Sequence, residues 1–321
     1  MNSYAEDDEN GLTGRDAAAS LGGENFKAPI LRAFTVCTGL VHLGSGIATL
    51  VLNQDKKAPL FEPWLAWPSR AERLNAETNQ FIPGSKYAGS ISFQGLVAAF
   101  FFLSFAFQTI PALVNPIWRW QLGLLLERNI QPLRWLEYSV SASVMFLIFF
   151  ILNGQQNVYL LVTVFALSFV LMMLGLVSEA SAYFQRTVEY LSNEKKKRNA
   201  LDFFLPHVLG WVPFTVLWAL IFRSFVMGIN HGKNSASSDY AKPPWWVYGV
   251  FGSQIILMGL FGANQLWQLV NLYNVRASNF KRQAEIALRS EYVYVFLSLT
   301  AKSILAWFLY GGFRSMGSTK Y

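Results

Sequence analysis

Residues 138–178 read YSVSASVMFLIFFILNGQQNVYLLVTVFALSFVLMMLGLVS and contain no Asp, Glu, Lys or Arg. This run of 41 residues is twice as long as the stretch of about 20 apolar residues that crosses a bilayer as a helix. Its centre, Asn153–Asn157, has the polar, glycine-containing composition of a turn. The run therefore predicts two consecutive membrane helices, with Glu137 immediately before the first and Glu179 immediately after the second.

The rest of the chain contains further windows of the same kind. Four of them lack charge altogether (33–54, 87–118, 203–222 and 243–275), and a fifth, 292–313, contains only Lys302. The windows predict seven spans, at 30–52, 87–113, 132–152, 157–178, 202–226, 245–270 and 289–312. Since a helix satisfies its backbone hydrogen bonds internally, we expect an all-α bundle of seven transmembrane helices in a multi-pass integral membrane protein.

The composition excludes several other classes of protein. Of the 321 residues 53% are hydrophobic and only 14% are charged, against about 25% charged in a soluble domain. The net charge is +7, but the basic residues lie in separate loops, so we expect no nucleic-acid partner. Cys37 is the sole cysteine, and glycine-rich phosphate loops and HExxH motifs are missing. We therefore expect neither an enzyme nor a metal site.

The remaining segments are assigned from their composition and position. Residues 1–29 are acidic at their start and predict a disordered cytoplasmic tail, followed by the membrane domain at 30–313. The connection 53–86 contains the proline- and tryptophan-rich stretch Phe61–Pro68, which indicates an ordered external cap at the membrane interface. Residues 314–321 are expected to form a short external tail.

The distribution of basic residues predicts the orientation of the bundle in the membrane. With a cytoplasmic N-terminus, 15 Lys and Arg residues lie inside, 10 lie outside and Lys302 lies within the membrane. The densest cluster, Lys195–Arg198, is then cytoplasmic, where it could attract anionic lipid or a signalling partner. The positive-inside rule thus favours a cytoplasmic N-terminus and, with seven spans, an external C-terminus.

Ionisable residues inside predicted spans are candidates for function, because their burial in a bilayer is costly. Lys302 lies near the middle of the seventh span, Glu137 near the start of the third, and His42 in the middle of the first. A salt bridge between Lys302 and Glu137 could simply hold two helices together. Alternatively, a buried neutral lysine is a nucleophile toward aldehydes, and Glu137 would be the counter-ion of the resulting protonated imine. Arg134, one turn before Glu137, could keep that carboxylate ionised or connect it to the cytoplasmic surface.

Two segments around these residues resemble a known family. Residues 134–143 (RWLEYSVSAS) and 297–307 (LSLTAKSILAW) are similar to the third-helix and seventh-helix signatures of heliorhodopsins, and the seven spans extend the resemblance over about 30–313. The resemblance implies all-trans retinal bound as a protonated Schiff base to Lys302, with Glu137 as its counter-ion. It also implies a cytoplasmic N-terminus and a homodimer in the lipid bilayer.

The resemblance further implies a polar cavity beside Lys302, for which the candidates are His42, Ser90, Gln94, Arg134 and Tyr138. Heliorhodopsins usually have a histidine where Gln94 aligns, so the acceptor of the proton after illumination stays open. Candidates for the walls of the retinal pocket come from four spans. They are Ser141 and Met145 on the face of Glu137, Trp211 and Phe214 in span five, Met258 and Phe261 in span six, and Ser298 one turn before Lys302.

These residues favour a light-sensing photoreceptor with a slow photocycle. A proton pump of the rhodopsin type needs further acids near its lysine, but Ile148 stands eleven residues after Glu137 and Ser298 four residues before Lys302. We therefore expect slow return of the proton and inefficient pumping. The first alternative is light-gated or light-driven transport of protons or other ions. The second is a membrane protein without retinal that uses the pair of Lys302 and Glu137 for transport.

Overall fold

A computed structural model of the chain describes residues 27–52, 56–65, 83–192, 198–234 and 244–318. These residues contain eight α-helices, which are α1 (Lys27–Leu52), α2 (Phe93–Leu113), α3 (Asn115–Gly123), α4 (Pro132–Leu152), α5 (Val158–Ser192), α6 (Ala200–Asn234), α7 (Trp245–Asn274) and α8 (Phe280–Ser318). A π-helical turn, Leu124–Arg128, follows α3. All of the α-helices except the nine-residue α3 are long and apolar enough to cross a membrane. This confirms the prediction of seven spans.

Most of the helices extend beyond the spans predicted from the sequence. The third span, 132–152, coincides with α4, but α5 continues to Ser192 and α8 begins at Phe280. At 1.5 Å per residue, the 35 residues of α5 measure about 52 Å, which exceeds the hydrocarbon thickness of about 30 Å. The search for charge-free windows detects only the part of a helix that lies in lipid, and it misses charged turns that continue into water.

The predicted second span begins too early, because it includes residues that form a strand. Residues 83–92 form the strand β2 (Pro83–Ser92), which pairs antiparallel with β1 (Lys57–Leu65), and α2 begins only at Phe93. The pairing is irregular between Leu60 and Phe61, opposite Gly89, whose φ of +148° favours glycine. A small sheet is therefore added to the predicted all-α architecture. The prediction of an ordered cap extends over 66–82, which lies outside the described residues.

The hairpin of β1 and β2 defines one end of the bundle. Phe61 N donates to Gln156 O at 2.9 Å, which joins β1 to the turn between α4 and α5. This confirms a turn at Asn153–Asn157. We call this the hairpin end, and the opposite end, where α1, α4, α6 and α8 begin, the N-terminal end. Residues 1–26, 193–197 and 319–321 lie outside the described residues, so the predicted tails and most of the basic cluster at 195–198 stay untested.

The two halves of the bundle differ in chemistry. The largest hydrophobic cluster contains many aromatic side chains and extends from the middle of the bundle to the hairpin end, including Phe93, Phe100, Phe101, Phe146, Phe149 and Trp246. Toward the N-terminal end the buried side chains include several that ionise. The most deeply buried membrane helix, α4, contributes to both halves, and its first two turns place Arg134 and Glu137 in the interior.

Candidate functional site

Lys302 and Glu137 form an ion pair inside the bundle. Lys302 Nζ lies 2.5 Å from Glu137 Oε1, and the two side chains are 3% and 2% exposed. The pair joins α8 to α4 as the sequence predicted. A buried ion pair loses its hydration on both sides, so additional hydrogen bonds are needed to offset the cost.

Three uncharged side chains supply those hydrogen bonds. Lys302 Nζ donates to Ser104 Oγ at 2.5 Å and to Ser298 Oγ at 3.0 Å. Ser104 Oγ lies 2.6 Å from Glu137 Oε1, to which its hydroxyl can donate, and Gln108 Nε2 donates to Glu137 Oε2 at 3.3 Å. Ser298 was a candidate from the sequence, whereas Ser104 and Gln108 were missed. We call these five residues the Lys302 cluster.

Helix geometry explains why these side chains meet. Ser104 and Gln108 stand four residues apart on α2, and Ser298 and Lys302 stand four residues apart on α8, so each pair shares one face of its helix. Glu137 projects from the second turn of α4. Because α2 runs antiparallel to α4, its polar residues reach the depth of Glu137 near its C-terminal end.

An apolar cavity of about 480 Å³ extends from Lys302 between α4, α5, α6, α7 and α8. Ser298 and Ala301 border it near the amine, and Phe214, Met258 and Phe261 border it farther away. Its other walls are formed by Tyr138, Ser141, Ala142, Met145, Phe146, Leu171 and Met172. The structure thus brings together around one cavity all the predicted wall residues except Trp211.

Trp211 belongs to an adjoining cavity. Its indole nitrogen donates to His207 Nε2 at 3.1 Å, and a Cβ placed on Gly262 would lie 2.9 Å from its ring. The adjoining cavity shares Phe214, Met258 and Phe261 with the first. Trp211 therefore lies one layer of side chains beyond the cavity that begins at Lys302.

Arg134 forms no ion pair with Glu137, although the two residues stand one helical turn apart on α4. Its two terminal nitrogens bind Glu179 on α5 and Glu291 on α8. The guanidinium also lies 4.0 Å from the centre of the Tyr294 ring. Arg134 shares a helical face with Glu137, but its longer side chain extends toward the N-terminal end, where two carboxylates compete for it. We call Arg134, Glu179 and Glu291 the arginine triad.

The remaining candidates for the polar cavity are spread over the bundle. His42 is fully buried, its ring centre lies 5.7 Å from that of Phe101, and neither of its nitrogens has a hydrogen-bond partner among the described residues. Tyr138 donates to the carbonyl oxygen of Tyr294 at 3.0 Å, and its ring lies 5.5 Å from Lys302 Nζ. His42 and Tyr138 thus have the interior positions that were expected of them.

Ser90 and Gln94 do not lie with the Lys302 cluster. Ser90 belongs to strand β2 rather than to a membrane helix, so its assignment to the second span is wrong. Gln94 lies in the first turn of α2, where its amide donates to the carbonyl oxygens of Thr49 and Leu50 at 3.1 and 2.7 Å. Both residues are at the hairpin end, and Gln94 there satisfies the last turn of α1.

Comparison with known protein families gives one match. A family model described as Heliorhodopsin matches residues 31–313, which is most of the chain and includes every helix that carries the Lys302 cluster. A comparison with curated proteins finds no match to this chain. Heliorhodopsins are retinal-binding photoreceptors rather than classical enzymes. With seven membrane helices and a family match over nearly its whole length, the chain belongs to the heliorhodopsin family.

Proposed function

We propose that this protein is a light sensor in which all-trans retinal is attached to Lys302 and Glu137 is the counter-ion. The observation that carries the proposal is the 2.5 Å contact between Lys302 Nζ and Glu137 Oε1 at one end of an apolar cavity. A lysine that served only as a structural cation would not need a cavity beside its amine.

The residues present fit retinal. The cavity begins at Lys302 and combines a largely apolar lining with a few polar groups, as small-molecule sites do. Its walls are mainly aromatic, aliphatic and methionine side chains, as a polyene requires, and the lysine amine can reach an aldehyde at one end. Retinal, when bound, supplies an imine bond to this nitrogen and a double bond that isomerises on absorbing light.

The surrounding residues control a proton on Lys302 Nζ. The negative charge of Glu137 stabilises a positive charge on this nitrogen, and the hydroxyls of Ser104 and Ser298 provide further oxygen contacts. Ser104 also lies within 2.6 Å of Glu137 and can orient the carboxylate. If illumination moved the nitrogen away from Glu137, these contacts would be lost and the affinity of the nitrogen for its proton would fall.

Sensing is favoured over pumping by the residues at the positions where pumps have acids. Ile148 is buried and cannot ionise, and Ser298 is already a partner of Lys302. We infer a slow cycle with a long-lived active state that a cytoplasmic partner recognises.

Proton transport is the second candidate, because a polar cavity lined by Glu137, Arg134 and Glu291 leads toward the N-terminal end. Photocurrent under voltage clamp distinguishes the two functions. At zero millivolts and symmetric pH, we expect no sustained current. A sustained current that is abolished by Glu137→Gln would demonstrate pumping, and a light-dependent conductance that follows the pH gradient would demonstrate a channel.

We also propose a cytoplasmic N-terminus and a homodimer. The orientation is supported by the excess of Lys and Arg at the N-terminal end, and the dimer by membership of the family. Impermeant antibodies against tags at both termini test the orientation in intact cells. We expect labelling of the C-terminal tag alone, and labelling of the N-terminal tag alone would reverse the assignment.

The principal experiment is reconstitution of the full chain with all-trans retinal. Lys302→Ala should give no visible pigment, while Lys281→Ala, at an exposed position of the same helix, should give the normal yield. A visible pigment of normal yield in Lys302→Ala would overturn the attachment site. A colourless wild-type protein would instead support a function without retinal.

A further inference from the structure

The arginine triad has one more negative charge than it has positive charge. Arg134 offers a single guanidinium to two carboxylates, and the side chains of Arg134, Glu179 and Glu291 are 5%, 1% and 9% exposed. An uncompensated charge in such surroundings is costly, and two carboxylates that share one site cannot both ionise readily. The simplest way to neutralise the triad is to bind one proton.

No further fixed charge balances the triad among the described residues that face it. The titratable or charged side chains around it are Glu137 and Tyr138 on α4 and Tyr294 on α8, and Glu137 is already paired with Lys302. The rings of Trp135 and Tyr294 lie 5.1 and 4.0 Å from the guanidinium carbon of Arg134. They add favourable contacts to the cation but no net charge.

The hydrogen bonds indicate which carboxylate holds the proton. Glu179 accepts hydrogen bonds from the guanidinium of Arg134 and from the backbone nitrogen of Gln131, and the second of these bonds measures 3.0 Å. Glu291 accepts from Arg134 and from the side-chain amide of Gln131, which, unlike a backbone nitrogen, can turn and present its oxygen to a protonated carboxyl group. Since donated hydrogen bonds stabilise the ionised form, Glu179 is better suited to stay ionised and Glu291 to carry the proton.

A partly open cavity of about 530 Å³ connects Glu291 with the Lys302 cluster. Its lining includes Glu137 and Gln108 at one end and Arg134, Glu291 and Gln131 at the other, together with Gln121 and Thr35. These polar side chains offer the partners that internal water requires. Glu291 precedes Lys302 by eleven residues on α8, which corresponds to about 16 Å along the helix, so a proton could move between them only through several waters.

We propose that the arginine triad binds one exchangeable proton in the dark, on Glu291, and returns it to Lys302 Nζ after that nitrogen has lost its own. An O–H bond at Glu291 breaks, an N–H bond forms at Lys302, and Arg134 stabilises the carboxylate that remains. Glu291 then regains a proton from water at the N-terminal end. The part that concerns Lys302 rests on the proposed function, whereas the bound proton does not.

The bound proton is measured directly by infrared spectroscopy of the full chain in the dark, with isotopically labelled glutamate, with and without retinal. We expect the carbonyl band of a protonated carboxyl group at neutral pH, and its loss in Glu291→Gln. We also expect its loss in Glu179→Gln, because one guanidinium then faces one carboxylate and no proton is needed. Glu285→Gln, which removes a more exposed acid paired with Arg282 on the same helix, should leave the band unchanged.

Persistence of the band in either Glu291→Gln or Glu179→Gln would overturn the proposal, and so would its absence from the wild type. The dark measurement does not need light activity, so the bound proton is tested even if no pigment forms with retinal. In pigment that forms, return of the proton after a flash should slow by roughly 100-fold in Glu291→Gln, the low end of the contribution of a positioned acid. An unchanged rate would remove the role of donor.

Discussion

Two buried ionic clusters lie one helical turn apart on α4 and balance their charges in different ways. At Glu137 one carboxylate meets one lysine amine, and uncharged hydroxyl and amide groups complete the contacts. At Arg134 one guanidinium meets two carboxylates. The first arrangement holds a cation in one place, whereas the second needs an additional positive partner. The number of charges, more than the depth in the membrane, thus separates the two sites.

The largest effect on stability is expected from Arg134→Leu. The substitution leaves Glu179 and Glu291 buried without their cation, and loss of one partner of a buried pair costs about 3–5 kcal/mol. Thermal unfolding in detergent measures the loss. The matched control is Arg282→Leu, whose exposed pair with Glu285 at 3.0 Å is worth about 0.5 kcal/mol. Equal melting temperatures for the two variants would show that the triad contributes no more than a surface pair.

Glu137→Gln is expected to have the next largest effect, now on the pigment rather than on the fold. It removes the negative charge 2.5 Å from Lys302 Nζ. We expect this to destabilise the protonated form of the nitrogen by about 3 kcal/mol, which shifts its equilibrium with the neutral form roughly a hundredfold. The remaining protonated pigment should absorb at longer wavelength, since Glu137 stabilises the ground state most. Dark absorption spectra over a range of pH measure both effects. Spectra like those of the wild type would assign the counter-ion elsewhere.

Ser104→Ala should shift the same spectra by a smaller amount. The substitution removes a hydroxyl that contacts both charges of the pair, and a hydrogen bond to a charged group is worth about 1.5–3 kcal/mol. Ser139→Ala is the control, because that buried hydroxyl donates only to the backbone of Leu136 on the same helix as Glu137. Equal shifts in the two variants would contradict a specific role for Ser104.

The smallest shift is expected from Gln108→Leu, which removes one long hydrogen bond of 3.3 Å to Glu137 and about 1 kcal/mol of stabilisation. Gln94→Leu should leave the absorption band in place, because Gln94 binds the carbonyl oxygens of Thr49 and Leu50 at the hairpin end. A larger shift in Gln94→Leu than in Gln108→Leu would reverse the assignment of these two glutamines.

The same pair of glutamines shows how far sequence reasoning reaches. Two serine–glutamine pairs with the same four-residue spacing lie in or beside the second span, Ser90 with Gln94 and Ser104 with Gln108. Only the first pair was selected from the sequence as a candidate for the polar cavity. The position of each pair along the bundle axis, relative to Glu137, could have distinguished them. Glu137 is the sixth residue of α4 and Gln108 lies five residues before the end of the antiparallel α2, so only the second pair reaches the level of the carboxylate.

The seven spans, the pair of Lys302 and Glu137 and most of the cavity wall followed from charge-free windows and helical spacing. Those features depend on one helix at a time, or on one costly charge that needs a partner. The partners of Arg134 could not be derived in this way, because a long side chain selects between Glu137, Glu179 and Glu291 only after three helices have packed. The strand β2 was missed because an uncharged segment satisfies the search for spans whether it is helical or extended.

The aromatic half of the bundle has a consequence for energy conversion. Phe100, Phe101 and Phe149 pack with Leu305 and Leu309 beyond Lys302 toward the hairpin end, while the polar cavity extends only toward the N-terminal end among the described residues. A proton that enters from the N-terminal end would therefore leave by the same route. Illumination would then perform no osmotic work. The energy of the absorbed light would be held in the protein conformation, while the surrounding medium would show a transient, self-reversing change in acidity.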